Sequence, residues 1–456
     1  MKKLKECSLK ELISTDGIKC ECGKIHKMPI KRVEVGENAL NSVPEILNEL
    51  NIKKPFIICD QNTSKAAFPL LMPIFEENKI PYGIFQFEVE HLEPDEHAIG
   101  SIIMGFDQSC DGILAVGSGV INDLGKVIAS TLEKPLATVA TAPSMDGYGS
   151  NNASMIQNRL KVSLYYHCPE AIIADTRILQ AAPFEMLQAG VGDMLAKYSS
   201  ICEWRISHLI TGEYYCENIA DLVRDSLNKI LNLADDLLKR DAKAVEEVFI
   251  GLLYTGLAMG YAGISRPASG LEHYFSHVWE MMNLERNKPS KLHGIQVAVG
   301  TLYTFQIWEE LKKYKPDRQK ANDFMQSFDD IKWQAMVHRI YGEIAAPNII
   351  KTAQQEGRND PELHQKRLNL IIDNWDQILE IVNSEMPEYE RILSLMNKFS
   401  LPLSADDIGF SQKDAHDALI ASREVRNKYV TSSLLWDLGL LYDIEFPKNS
   451  GLMGLE

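Results

Sequence analysis

Three histidines, His273, His277 and His293, fall within 21 residues of a chain that has only 11. His273 and His277 are four apart, so on a helix they share one face. A turn-like Asn287-Lys288-Pro289-Ser290 precedes His293 and lets the chain fold back towards that face. Upstream, Gly190-Val191-Gly192-Asp193 offers a carboxylate at the start of an apolar helical run. One aspartate with two or three imidazoles makes a first-row metal site that leaves a coordination position open for substrate. A His pair at this spacing is also a common hydrogen-bonded core pair, so the pattern needs support from the rest of the chain.

A second chemical feature lies nearer the N-terminus. The apolar run Gly112–Val116 leads into Gly117-Ser118-Gly119-Val120-Ile121-Asn122-Asp123-Leu124-Gly125-Lys126. A strand, a Gly-rich turn and a helix start place backbone N–H groups and the helix dipole where a pyrophosphate can sit. The same pattern also makes an ordinary tight strand–helix corner. Asp60 closes another apolar run, where it can accept bonds from an adenosine ribose and disfavour a 2′-phosphate, or simply cap the helix that follows. Between Thr138 and Asn152, the segment Thr141-Ala142-Pro143-Ser144-Met145-Asp146-Gly147-Tyr148-Gly149-Ser150 crowds hydroxyls, glycines and an acid together. That composition suits a loop approaching a polar ligand, and equally a solvated turn.

Cys20-Glu21-Cys22-Gly23-Lys24-Ile25-His26 is the third cluster. Cys-x-Cys with a nearby histidine can hold zinc, but the spacing is tighter than the usual Cys-x₂-Cys and no fourth ligand is apparent. A β-turn at Cys22-Gly23 between short strands is therefore the expectation. The eight scattered cysteines otherwise fit a reduced, cytoplasmic protein.

The elements that must position these residues follow from length and periodicity. A chain of 456 residues is long enough for two cores. Up to residue 180, continuous apolar runs at 55–60, 81–87, 112–116, 136–140 and 171–174 alternate with helical segments at 63–78, 95–107 and from about 122. This is the pattern of a parallel sheet covered on both faces. From Pro183 onwards only helical periods appear: 184–209, 215–237, 242–264, 270–284, 293–313, 328–346, 362–398 and 412–428. Segments 314–322 and 353–363 read as surface connections. The expected fold class is α/β, with a Rossmann-like parallel-sheet domain over 1–180 followed by an all-helical domain over 181–456.

The uncharged stretch from Val248 to Ser265 touches the length of a membrane span, but Gly251, Gly256, Gly260 and Gly263 read better as close packing in a core helix. A net charge of −16 argues against nucleic acid or an anionic membrane as partner. Met1-Lys2-Lys3 does not lead into an apolar signal region.

Four motifs then occur in order: Gly-x-Gly-x-x-x-Asp-x-x-Lys after a strand, Ser-x-Asp-Gly, Gly-x-Gly-Asp-x-x-Ala-Lys, and Gly-x-Glu-His-x-x-Ser-His with a later His-Gly. Over roughly residues 20–400 the chain resembles the sn-glycerol-1-phosphate dehydrogenases, especially their bacterial branch. That family sits in the superfamily of glycerol dehydrogenase, iron-containing alcohol dehydrogenases and dehydroquinate synthase. The resemblance implies a dehydroquinate synthase-like fold with a metal in the cleft between a Rossmann-like and a helical domain. It implies metal ligands at Asp193, His273 and His293, and it is the resemblance that selects His273 over His277. It implies substrate contacts at Asp146 and His277, with Asp193 and His277 in catalytic roles. Dinucleotide contacts are implied at Asp60, at Gly117, Ser118, Gly119, Val120, Ile121, Asn122 and Asp123, at Thr141, Ala142, Pro143 and Ser144, and at Ser150. Ser118 stands where the superfamily often has glycine, and Leu271 replaces a small polar residue.

The expected reaction is reduction of dihydroxyacetone phosphate to sn-glycerol 1-phosphate. NADH is preferred over NADPH, and one divalent ion is expected, zinc or nickel with iron as an option. The ion polarises the ketone, and His277 donates or relays the proton. Arg266 is the candidate phosphate partner. A second copy of the chain, forming a homodimer, is the expected protein partner. The rival readings are a glycerol or polyol dehydrogenase, a dehydroquinate-synthase-like cyclase, and a nucleotide-binding protein that has lost chemistry. The last is disfavoured because all three proposed ligands are present.

Overall fold

The computed structural model describes residues 2–14, 16–89 and 91–446. The N-terminal Met1 and the end of the tail, both touched by the sequence reading, lie outside them. The strands in chain order are β1 (Ile18–Lys19), β2 (Ile25–His26), β3 (Arg32–Gly36), β4 (Pro55–Asp60), β5 (Gly83–Phe87), β6 (Gly112–Gly117), β7 (Leu136–Ala140), β8 (Asn152–Gln157), β9 (Leu160–Tyr165) and β10 (Ala171–Asp175). Six of them form one parallel sheet in the order β3-β10-β7-β6-β4-β5.

Every strand expected from an apolar run is present. β4, β6, β7 and β10 are buried almost throughout, because helices cover both faces of the sheet. Chain order reverses between β4 and β6: β5 lies on one side of β4, and β6 pairs with the other, with Ile57 opposite Leu114. In open parallel sheets the crevice beyond the carboxyl ends of such a pair is where ligands bind. Asp60 and Gly117 are the last residues of those two strands.

The described chain groups into two interleaved units. The first comprises Met1–Gln157, Lys161–Met194 and Cys216–Ala268; the second comprises Asn158–Leu160, Leu195–Tyr215 and Ser269–Glu456. The first unit contains the sheet and the Ala242–Ala262 helix, which carries the uncharged stretch. A Cβ on Gly256 would lie 2.6 Å from the Asp146 carbonyl oxygen, and one on Gly190 would collide with the Pro143 carbonyl oxygen. Two helices can therefore come down onto the backbone of the 143–149 loop only because those positions lack side chains. Among the described residues no helix is long and apolar enough to cross a membrane. The glycine-rich helix is a packing element.

The second unit is helical. Trp204, Trp279, Trp308 and Trp436 are fully buried within it. The Leu271–Glu285 and His293–Leu311 helices pack against each other. Several expected helices are subdivided. The run 184–209 breaks at Ala196, and 362–398 becomes Pro361–Asp373, Trp375–Glu385 and Tyr389–Lys398. The expected connection at 314–322 is half wrong, because Asp317 caps a helix at Arg318–Ser327 through bonds from the Gln319 and Lys320 amides. The connection at 353–363 is shorter than expected, because the preceding helix runs on to Gln355.

Candidate active site

The residues expected at the nucleotide end lie in the first unit. The Gly119–Thr131 helix begins two residues after β6, with Ser118 as its N-cap and no capping bond from the Ser118 side chain. Gly119–Asp123 is thus the first helical turn rather than a loop, and its leading N–H groups have no acceptor within the helix. Asp60 caps its own helix: Oδ1 accepts from the Asn62 and Thr63 amides at 2.8 Å each. Both capping bonds fall on one oxygen, so capping and a ribose contact through Oδ2 are compatible uses of a single carboxylate.

The 141–152 loop is held from below by Lys126, a residue whose role sequence reasoning missed. Its fully buried ammonium donates to the Gly147 carbonyl at 2.7 Å and the Asn152 carbonyl at 2.8 Å, and it pairs with Asp123 at 3.3 Å. Asp123 in turn accepts from the Ser154 amide at 2.9 Å. The Ser150 hydroxyl donates to the Gly147 carbonyl at 3.0 Å, so it acts inside the loop. Tyr148 donates to the Ala142 carbonyl at 2.9 Å. Thr141, Ala142, Pro143 and Ser144 are buried at the end of β7. The Gly-x-Gly-x-x-x-Asp-x-x-Lys motif therefore joins a helix start to the loop beside it. Asp193 belongs to the same unit, but in the last turn of the Phe184–Leu195 helix rather than at the start of a run. It is buried, and its Oδ2 accepts the Asp146 amide N–H at 3.0 Å, which brings the two expected acids together. Arg266 is also buried in this unit.

The second unit gathers all three histidines. The His273 and His293 ring centroids are 5.2 Å apart, and His277 stacks on His293 at 5.6 Å with a 23° tilt. His273 Nδ1 lies 2.9 Å from Glu272 Oε1. His293 Nδ1 lies 3.0 Å from Glu280 Oε1 and 3.0 Å from Ser276 Oγ. A carboxylate on Nδ1 sets the tautomer in which Nε2 carries the lone pair, and it raises the basicity of that nitrogen. This is the support that metal-ligating histidines have, and it is present on both proposed ligand histidines. His277, Glu280 and His293 also each present a donor atom within 4.8 Å of the others.

Glu272 is itself anchored. Its oxygens accept the Gly270 amide at 2.6 Å and the Ser199 hydroxyl at 2.7 Å. Burial works to raise its carboxyl, but the His273 contact and these donors hold it below its ordinary value. The adjacent Glu203 goes the other way: burial and the Glu272 charge push it up to about 7, against bonds from Thr431 and the Leu271 amide. Two buried carboxyls cannot both ionise cheaply, and the one held down is the one in contact with His273. Removing that support should show directly. Glu272→Gln is expected to weaken active-site metal binding by roughly 10–100-fold. Chelator competition checks this, and unchanged affinity would deny Glu272 its positioning role.

The chain as a whole has relatives among known proteins. Residues 34–183 match the model of the iron-containing alcohol dehydrogenase family. A glycerol-1-phosphate dehydrogenase [NAD(P)+] of Bacillus licheniformis is 32% identical over 335 residues, covering 72% of this chain and 84% of that protein. One from Halalkalibacterium halodurans is 28% identical over 416 residues, covering 90% and 93%. Among solved structures, a probable glycerol dehydrogenase from Sinorhizobium meliloti superposes with a TM-score of 0.58 at 16% identity, covering 91% of this chain and 96% of that one. That last likeness concerns the fold. At the sequence level, the similarity covers most of both chains, and this protein belongs to the glycerol-1-phosphate dehydrogenases, NAD(P)-linked oxidoreductases within the iron-containing alcohol dehydrogenase group.

Proposed function

We propose that this chain reduces dihydroxyacetone phosphate to sn-glycerol 1-phosphate with NADH, using one divalent ion held by Asp193, His273 and His293. The observation that carries the reading is the carboxylate on Nδ1 of each ligand histidine, Glu272 on His273 and Glu280 on His293. Bound there, zinc, nickel or iron supplies Lewis-acid polarisation of the ketone.

The chain's own residues do the rest. The first turn at Gly119–Asp123 and the Thr141–Ser144 segment hold the dinucleotide, so the nicotinamide is positioned before chemistry begins. Asp146 and His277 orient the substrate, and His277, one helical turn from His273, delivers or relays the proton to the ketone oxygen. Arg266 is assigned to the phosphate. A cytoplasmic homodimer completes the reading. The test is NADH consumption by metal-loaded protein on addition of dihydroxyacetone phosphate. Comparable consumption with unphosphorylated dihydroxyacetone would move the protein to the polyol dehydrogenases.

Asp60 gives a separate prediction. A carboxylate beside the ribose repels a 2′-phosphate, so kcat/KM should favour NADH over NADPH. Asp60→Asn keeps a good helix cap while removing the charge, so it should narrow that ratio without unfolding the protein. A wild-type preference for NADPH would leave Asp60 with its capping role alone.

A further inference from the structure

The cysteine cluster that the dehydrogenase chemistry leaves unused has a fourth member. β1 and β2 pair antiparallel, with Ile18 opposite His26 and Lys19 opposite Ile25. Between them the chain turns tightly: the Cys20 amide donates to Lys24 O at 3.0 Å and the Gly23 amide to Cys20 O at 3.1 Å. The expected turn is therefore real, and it presents Cys20, Cys22 and His26 together. Cys216, the residue just before the Glu217–Asn232 helix, meets them from 196 positions along the chain.

The distances fit one geometry. Cys20 Sγ is 3.6 Å from Cys216 Sγ, and His26 Nε2 is 3.4 Å from Cys22 Sγ and 3.7 Å from Cys216 Sγ. All four donor atoms lie within 4.8 Å of one another. Tetrahedral zinc with ordinary Zn–S and Zn–N bonds separates two sulfurs by about 3.8 Å and a sulfur from a nitrogen by about 3.6 Å. A disulfide would instead need sulfurs about 2.05 Å apart. Cys20, His26 and Cys216 are buried, and Asn218 Nδ2 donates to Cys20 Sγ at 3.3 Å, the kind of N–H···S bond that stabilises a thiolate ligand.

We propose that Cys20, Cys22, His26 and Cys216 bind a structural zinc ion. Three soft sulfurs and one imidazole select zinc among the available divalent ions, and four protein ligands leave no position for substrate. Loading releases the three thiol protons and leaves the site with one net negative charge. The helix that starts at Glu217 favours that charge at its N-terminus. The ion clamps the N-terminal segment to this helix, beside the Lys5–Asp221 ion pair at 3.2 Å and the bond from the Tyr261 hydroxyl to the Leu12 carbonyl.

The test uses the full-length protein, loaded with zinc and then washed with a chelator to empty weaker sites. Zinc X-ray absorption should show a sulfur shell at about 2.3 Å, which a site built from Asp193, His273 and His293 cannot supply. Cys216→Ser should lose one zinc per chain together with that shell, yet keep its dehydrogenase activity. Should that variant fail to fold, a mercurial titration of the wild type replaces it, and modifying the thiols should release one zinc per chain to a chromogenic chelator. Zinc-replete protein with no sulfur shell, thiol modification that releases no zinc, or a Cys20–Cys216 disulfide in purified protein would each overturn the proposal. Zinc content, the sulfur shell and thiol-triggered zinc release do not depend on dihydroxyacetone phosphate turnover, so failure here and failure of the proposed reaction are separable.

Discussion

His273→Ala should emerge from purification with one metal ion fewer per chain than the wild type and with kcat lowered at least about 1000-fold. A bound Lewis acid supplies several kcal/mol of transition-state stabilisation, and a factor of 1000 corresponds to roughly 4 kcal/mol. His277→Ala should behave differently. It should keep the metal and lose rate by about 100- to 10,000-fold, the usual scale for a general acid. The contrast matters because His277, Glu280 and His293 also bring donor atoms within 4.8 Å of each other. Loss of metal from His277→Ala with full occupancy in His273→Ala would transfer the ligand role to His277. Elemental analysis of the two variants beside wild type decides between the assignments.

The second large effect concerns the substrate. Phosphate adds binding energy remote from the reacting carbon, which can be spent on orientation at the ketone. Dihydroxyacetone phosphate should therefore be reduced with kcat/KM at least about 100-fold above dihydroxyacetone, roughly 2.7 kcal/mol of transition-state binding. Both kcat and KM should move. Initial rates over a concentration series check this, and a difference confined to KM would mean that the phosphate only anchors the ground state.

The parallel strands were legible because both faces of β4, β6, β7 and β10 are covered, which leaves continuous apolar runs. β3 was not, since Arg32-Val33-Glu34-Val35-Gly36 alternates charge with valine as a half-buried edge strand does. The subdivision of 362–398 was written at Asn374 and at Met386-Pro387, signals that a long apolar period obscured.

At the candidate site, the histidines announced themselves by spacing. Their carboxylate supports did not. Glu272 is adjacent to His273 and Glu280 three residues from His277, and only side-chain direction shows that each bonds a histidine Nδ1. Lys126 stood in plain view within the motif, yet its acceptors at Gly147 and Asn152 lie on another loop. Cys216 was beyond reach altogether, because no local pattern links it to a hairpin 190 residues earlier in the chain.

The handedness of the product tests the proposed reaction. Metal-loaded protein is incubated with NADH and dihydroxyacetone phosphate, and the glycerol phosphate formed is assigned with an enantiomer-specific assay. sn-Glycerol 1-phosphate should form in step with NADH oxidised. Formation of sn-glycerol 3-phosphate, or NADH left unconsumed by fully metallated protein, would contradict that reaction.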